Sequence, residues 1–382
     1  MIVGTIGRRK FAVLITLALL GGCKIIPKAP PETPPAPRPT DSLPSDQQRH
    51  RIALLAPTTG PNADLGVSIA NATTMALLDT QAKALRLTIY DTAQGPAAAA
   101  TAAMKDGNRL ILGPIGAEDV ATVAAVARAG KVPLITYSND ESVAARDVFV
   151  FGTSPEAAIG RVVSFAQSRG MKRFALLSPK GEYGARASAA YGAAVKAGGG
   201  TLVASESYDR SNTSILSAAQ RLKTKGGFDA VLIADSPRFA TLAAPRLKAA
   251  GAISPRILGT ELWAGDGALG KTAALRGAWF AGLSDARFAQ FSTSYKARFG
   301  SAPYRQATFG YDSVLLAVRI AREWKPGAAF PSAKLVDKDG FLGLDGPFRF
   351  AASGLSERAL EVREVRSGGL TIIGPAPEAF TP

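Results

Sequence analysis

The chain has 382 residues, of which 47% are hydrophobic and 20% charged, so it can bury a large core and is not globally disordered. One cysteine and one histidine exclude a disulfide framework within the chain and a structural zinc site built on these residue types. The histidine, His50, ends a Pro-rich stretch, which argues against a Ser-His-Asp or Cys-His catalytic unit. We therefore predict no catalytic residue, no metal site and no cofactor.

Residues 1–23 have the pattern of an export signal. Arg8, Arg9 and Lys10 precede an apolar segment, 11–20, that is far shorter than the roughly 20 residues that span a bilayer. The segment ends in Leu-Gly-Gly-Cys23, which resembles the bacterial lipobox and implies acylation of Cys23 and a lipid anchor. An ordinary signal peptide with an incidental cysteine is the alternative. Lys24 resembles the outer-membrane sorting pattern of Gram-negative lipoproteins.

The next segment, residues 24–49, is predicted to be a linker. Eight prolines favour extended polyproline II, which advances about 3.1 Å per residue and would separate a folded body from the membrane.

The net charge is +15, and the sequence contains no run of five residues of like charge. Export argues against nucleic acid as the partner of this basic surface. Anionic lipid headgroups or cell-wall polymer are available in the envelope, and a solvated basic surface is the simpler interpretation.

From residue 51 the sequence alternates apolar strands with helices. The first stretch predicts strands at 51–56, 85–90, 110–113 and 132–137, with helices at 65–83, 97–105 and 117–129. Near-continuous apolar strands joined by helices predict a parallel sheet covered on both faces.

The same pattern restarts near residue 153. It predicts strands at 173–177, 202–206, 230–234, 256–259 and 277–282, and helices at 155–169, 183–197, 215–225, 239–249, 288–299 and 304–323. Alternation over 335–373 predicts antiparallel β structure. The fold class is therefore α/β, with two doubly wound, Rossmann-like lobes.

A glycine-rich segment, residues 265–272, fits the P-loop pattern. Phosphate binding needs a helix directly after the loop, but the strand GAWFAG begins within five residues. We therefore interpret it as a surface loop, and scattered Asp and Glu residues give no other indication of an enzyme.

Several segments resemble the type I periplasmic binding proteins, of the leucine-binding type, over residues 51–375. They are IALLAPTTG at 52–60, LGP at 112–114, VPLITYS at 132–138, FGTSPE at 151–156, KGEYG at 180–184 and LRGAWF at 275–280. The resemblance implies two lobes that close on a ligand about three hinge crossings, near Phe151, Gly282 and Lys325. It assigns residues 50–151 and 281–330 to the N-terminal lobe, and 152–280 and 331–375 to the C-terminal lobe.

The resemblance also implies a ligand cleft at the carboxyl ends of the strands. Receptors of this group that serve ABC transporters bind an amino-acid carboxylate with hydroxyls and N–H groups, and the ammonium with an acid. Glu261 matches that acid and Tyr183 a cleft aromatic, whereas Asp140 stands where a threonine is expected and Pro-Ile-Gly follows Gly113. The candidate cleft residues are Thr58, Thr59, Gly113, Pro114, Ser138, Asn139, Tyr183, Asp235, Ser236 and Glu261.

Other segments resemble the outer-membrane lipoproteins that activate penicillin-binding proteins. These are YDTA at 90–93, SPKGEYGAR at 178–186 and ADSPR at 234–238. We predict a non-enzymatic envelope lipoprotein that regulates peptidoglycan synthesis by contact with a penicillin-binding protein. The alternative is a lipoprotein that delivers an amino acid of the branched-chain type to an ABC permease.

Overall fold

The computed structural model describes residues 48–248 and 254–380. The predicted signal peptide, Cys23 and all but the end of the linker lie outside the described residues. From Pro44 onward the chain forms one compact unit.

The first lobe is built on a parallel five-stranded sheet with strand order β2-β1-β3-β4-β5. Its central strands are almost entirely apolar, as in β1, where Ile52 to Ala56 are fully buried, because helices cover both faces. The elements are β1 (His50–Ala56), α1 (Ala63–Asp79), β2 (Leu85–Asp91), α2 (Pro96–Lys105), β3 (Leu110–Leu112), α3 (Ala117–Ala129), β4 (Leu134–Thr136) and β5 (Val148–Val150).

The second lobe is built on a seven-stranded sheet, of order β15-β14-β10-β9-β8-β6-β7, in which β14 and β15 are antiparallel additions. Its first elements are α4 (Pro155–Ser168), β6 (Arg173–Pro179), α5 (Glu182–Ala197), β7 (Thr201–Tyr208), α6 (Ser214–Lys225), β8 (Ala230–Ile233), α7 (Pro237–Leu247), β9 (Arg256–Leu258) and β10 (Trp279–Gly282). The rest of the chain forms α8 (Phe288–Phe299), α9 (Ala307–Ala321), β11 (Phe341–Gly343), β12 (Gly346–Phe350), β13 (Ser356–Arg358), β14 (Glu361–Arg366) and β15 (Gly369–Gly374).

Both lobes begin with the same close contact between a strand end and a helix. A Cβ added to Gly66 in α1 would lie 1.8 Å from the carbonyl oxygen of Pro57, and one added to Gly184 in α5 would lie 1.7 Å from that of Pro179. Only glycine fits at these positions. The two glycines therefore fix how closely the first helix of each lobe approaches the edge of the sheet that faces the cleft.

The antiparallel structure expected near the C-terminus is present, but it divides between the two lobes. Strands β11, β12 and β13 form a small sheet whose Phe348 and Phe350 pack on Phe149 and Phe151 of the first lobe, with Phe149 and Phe350 centroids 5.3 Å apart. Each fully buried phenylalanine contributes roughly 1.5–3 kcal/mol. This aromatic packing holds residues 341–358 against the first lobe, although the sequence analysis assigned 331–375 to the second.

The chain therefore passes between the lobes at residues 151–154, 283–287 and 359–360. The sequence analysis predicted crossings near Phe151, Gly282 and Lys325. The third lies at Ala359 and Leu360, not near Lys325, because the small sheet precedes it. Strand β10 also pairs with β9 and β14 of the second sheet, so residues 281 and 282 belong to the second lobe.

His50, which ends the Pro-rich stretch, is part of the folded body. It opens β1, is 4% exposed and stacks on Trp324 with ring centroids 4.1 Å apart. Burial lowers the pKa of its imidazole. Its surroundings are those of a core side chain.

Candidate ligand-binding cleft

A cleft of about 440 Å³ lies between the carboxyl ends of the two sheets. Its walls come from the first lobe, the second lobe and two of the crossings. Most of the lining is apolar and includes Leu65, Ile115, Leu262, Ala264, Leu283 and Phe309, whereas Asn139, Thr153, Glu261, Arg305 and Gln306 bring polar groups to it.

Glu261 is positioned by the turn that follows β9. Thr260 caps the short 3-10 helix Glu261–Trp263 by accepting the N–H of Leu262. The Tyr183 hydroxyl lies 3.0 Å from Thr260 Oγ1 and donates to Glu261 Oε1 over 3.0 Å. The other carboxylate oxygen, Oε2, is buried and has no partner among the described residues.

Burial raises the pKa of the Glu261 carboxyl to about 7, against a smaller opposing effect of the hydrogen bond from Tyr183. A buried carboxylate with a free oxygen is costly unless a cation or donor reaches it. The cleft therefore presents a half-satisfied acid inside an apolar pocket.

The first crossing adds a second unsatisfied group. Thr153 lines the cleft, and its hydroxyl is buried without a partner among the described residues. Beside it, the Asn139 side chain follows β4 at the rim of the cleft. Both side chains can donate hydrogen bonds to an acid group of a ligand.

Arg186 of α5 bridges the two lobes beside this rim. It binds Glu156 with two hydrogen bonds of 3.0 Å and donates to the Asn139 carbonyl oxygen over 2.8 Å. Asp140 lies 3.9 Å from the same guanidinium. The acid that stands in place of a threonine is thus part of an interlobe ion-pair network.

Of the ten residues proposed for the cleft, Asn139 and Glu261 line it, and Tyr183 supports Glu261. Thr58 and Thr59 instead donate to the Asp91 carboxylate, from the backbone N–H and the hydroxyl respectively. They are therefore committed to holding the loop after β1.

The residues after β3 and β4 support the cleft wall without lining it. Gly113 and Pro114 are joined by a cis peptide, and the Pro114 carbonyl accepts the Thr136 hydroxyl at 2.8 Å. Ser138 is buried and its hydroxyl accepts the N–H of Asp140. The neighbour that reaches the cleft here is Ile115, so the wall is apolar at this turn.

Asp235 is likewise fully engaged. Its carboxylate accepts from the Tyr208 hydroxyl, pairs with Arg210 at 2.8 Å and accepts the N–H of Ser236, which flanks α7. Its carbonyl accepts the indole N–H of Trp263 at 2.8 Å. Asp235 therefore anchors the turn that carries Glu261.

Arg305 is a cleft residue that the sequence analysis missed. Its guanidinium lines the cleft while it pairs with buried Asp345 at 2.5 Å and donates to the Ser284 carbonyl. The sequence carried no signal for it, because an arginine just before a helix is usually solvated. Thr153 could have been found, since FGTSPE marks the first crossing.

Within 48–248 and 254–380, no cluster of three or more His, Cys, Asp or Glu side chains could hold a metal ion. No helix in the same ranges is both long and apolar enough to span a membrane.

The sequence profile of the periplasmic binding protein family matches residues 50–369. The chain belongs to this family. The two-lobe type I fold of the leucine-binding type, expected from the sequence, is confirmed. Members of this family bind substrates, and membership indicates export to the periplasm.

Solved structures share the fold at low sequence identity. A branched-chain amino acid ABC transporter ligand-binding protein of Burkholderia xenovorans is 16% identical with a TM-score of 0.70, and covers 86% of this chain and 96% of its own. A branched-chain amino acid binding protein of Streptococcus pneumoniae in complex with isoleucine is 18% identical with a TM-score of 0.61. The match covers 86% of this chain and 100% of the other. A solute-binding protein of Rhodopseudomonas palustris in complex with 3,4-dihydroxybenzoic acid is 19% identical with a TM-score of 0.61, over 87% and 96%.

A curated relative, an uncharacterized protein of Rickettsia prowazekii, is 29% identical over 140 residues. That match covers 36% of this chain and 38% of the relative. The three solved structures named above are solute receptors, and activation of a penicillin-binding protein stays a prediction.

Proposed function

We propose that this protein is the solute receptor of an ABC transporter and closes on an amino acid with an apolar side chain. The observation that carries the proposal is the free, buried Oε2 of Glu261 in an apolar cleft. An ammonium group is the natural partner of that oxygen, because it supplies both positive charge and N–H donors.

The rest of the cleft suits the remainder of such a ligand. Its volume of about 440 Å³ falls within the usual range of small-molecule sites. Leu262, Leu283 and Phe309 offer an apolar surface for the side chain. Thr153 and Asn139 offer donors for the carboxylate. They would take the role of the hydroxyl groups expected after Gly113, where this chain has Pro-Ile-Gly instead.

The test is calorimetric titration of the chain from Pro44, which contains every described helix and strand. We expect leucine, isoleucine or valine to bind at micromolar concentration. The matched control is 4-methylpentanoate, which is leucine without its ammonium, and it should bind far more weakly. Benzoate binding in preference to leucine would contradict the proposal, because benzoate has no cation for Glu261.

We also propose that a lipid on Cys23 anchors the receptor, in the outer membrane if the sorting pattern at Lys24 operates. Cys23→Ser should move the protein from the membrane pellet to the soluble fraction of an envelope preparation. Since Cys23 is the chain's sole cysteine, no other thiol can substitute. Retention of the variant in the pellet would refute lipid anchoring at this site.

A further inference from the structure

A second cavity, of about 150 Å³, lies at the opposite end of the second sheet from the ligand cleft. It forms where α7 ends and where β9 and β10 begin. Its charged lining, among the described residues, consists of Lys248, Arg256 and Arg276. The other described lining residues, from Ser254 to Ile257 and at Gly277 and Ala278, carry no charge.

Among the described residues, no acidic side chain lines this cavity or forms an ion pair with its three cations. Residues 249–253 read Ala-Ala-Gly-Ala-Ile and contain no ionisable side chain. On the neighbouring strand, Glu364 accepts from Trp279 and pairs with Arg366 at 2.6 Å. Asp229, before β8, accepts the backbone N–H groups of Lys172 and Arg173.

Two of the three cations are held in place by the backbone. Lys248 Nζ donates to the carbonyl oxygens of Ala274 and Arg276 at 2.8 and 3.2 Å. Arg256 donates to the Gly277 carbonyl and lies 4.4 Å above the Trp279 ring. These contacts leave further N–H groups on both side chains for a ligand.

The third cation, Arg276, is free to donate hydrogen bonds to a ligand. Arg276 is exposed, and its guanidinium has no hydrogen bond or ion pair within the described residues. Burial and, to a smaller extent, the charge of Arg256 lower the pKa of Lys248, so these two cations repel each other. An anion in the cavity would remove that repulsion.

We infer that Lys248, Arg256 and Arg276 form a binding site for a phosphate group. Guanidinium and ammonium groups together supply the fan of N–H donors that a tetrahedral oxyanion accepts. A cavity of about 150 Å³ is about ten times the 10–15 Å³ that a single water needs, so it has room for the five heavy atoms of a phosphate group. The site is independent of the amino-acid cleft.

The test is titration of the chain from Pro44 with inorganic phosphate in a low-salt zwitterionic buffer. We expect one site, weakened by added salt. Arg276→Gln should reduce the affinity roughly tenfold or more, since it removes a charged donor. Arg246→Gln is the matched control, because Arg246 lies exposed on α7 outside the cavity lining, and it should change the affinity less than about twofold.

A lipid headgroup could supply the same chemistry, so a second arm uses vesicles with and without phosphatidic acid. Sedimentation with phosphatidic acid that Arg276→Gln abolishes assigns the site to a lipid, and binding of free phosphate alone assigns it to a soluble compound. The inference is overturned if neither probe binds or if acetate is preferred to phosphate. It is also overturned if Arg276→Gln and Arg246→Gln weaken phosphate binding equally. Leucine binding by Arg276→Gln should be unchanged in every case.

Discussion

Asp345→Asn should lower the free energy of unfolding by about 3–5 kcal/mol, the usual cost of breaking a buried ion pair. Asp345 is 1% exposed and accepts from Arg305 at 2.5 Å and from the Thr308 hydroxyl at 2.7 Å. The buried guanidinium of Arg358 lies 3.9 Å away. Urea denaturation of the chain from Pro44, followed by circular dichroism, measures the change.

The effect is large because Asp345 is the acid that acts most strongly on Arg358, ahead of Asp312. Its guanidinium lies over the rings of Phe151, Phe309 and Phe348, at 4.0 to 5.7 Å, and donates to the Phe151 carbonyl. Burial lowers the pKa of this guanidinium, and Asp345 opposes that shift. Removing the carboxylate would leave a cation in the aromatic core that joins the small sheet to the first crossing.

Asp312→Asn is the matched control, since Asp312 is buried beside Asp345. Its Oδ1 accepts the Leu344 N–H at 2.7 Å, whereas Oδ2 has no partner among the described residues. Burial, with a smaller effect of the Asp345 charge, raises the pKa of Asp312. The amide keeps the shape of the protonated acid, so we expect Asp312→Asn not to lower the free energy of unfolding near neutral pH.

The two variants should also differ in their pH dependence. Because the folded-state pKa of Asp312 is raised, the folded protein holds a proton that the unfolded chain has released, and stability falls as pH rises through that interval. Asp312→Asn removes this fall in stability, so at pH 8 it should be more stable than the wild-type protein. Equal destabilisation by both substitutions would show that the small sheet needs both carboxylates.

The two α/β lobes were predictable because most of their strands are apolar runs that end in turn residues. Strand β5 (Val148–Val150) was missed, although β3 and β4 are equally short and were predicted. The small sheet was assigned to the wrong lobe because alternation in β12 shows that one face is buried but not which surface covers it. That choice depends on Phe149 and Phe151, which lie some 200 residues earlier.

The sequence predicted less of the ligand cleft than of the fold. Position after a strand brings a residue near the cleft, and this rule located Asn139 and Glu261. It could not show which polar atoms are already satisfied, so Asp235 was also predicted to lie in the cleft, although Arg210 and Tyr208 occupy its carboxylate. The difference between a structural acid and a binding acid lies in these partners, which sequence spacing does not reveal.

Leucine binding should weaken about tenfold for each pH unit below about 7, if Glu261 binds the ligand ammonium. The carboxyl, whose pKa burial raises to about 7, must be ionised to pair with a cation, so affinity falls with its ionised fraction. The other groups that act on it are Tyr183, Glu156 and Arg186, of which Glu156 raises its pKa and Arg186 lowers it. Calorimetry from pH 5 to pH 8 measures the slope.

Glu261→Gln should remove both the slope and most of the affinity. The amide keeps the shape of the carboxyl and an oxygen for the Tyr183 hydroxyl, but it offers no charge to an ammonium. Loss of one partner of a buried charge pair costs about 2–5 kcal/mol, which corresponds to at least roughly 30-fold weaker binding at pH 8. Glu182→Gln, an exposed neighbour in the first turn of α5, should leave affinity and slope unchanged. A slope that persists in Glu261→Gln would mean that another group titrates with binding, and that the ligand cation does not pair with Glu261.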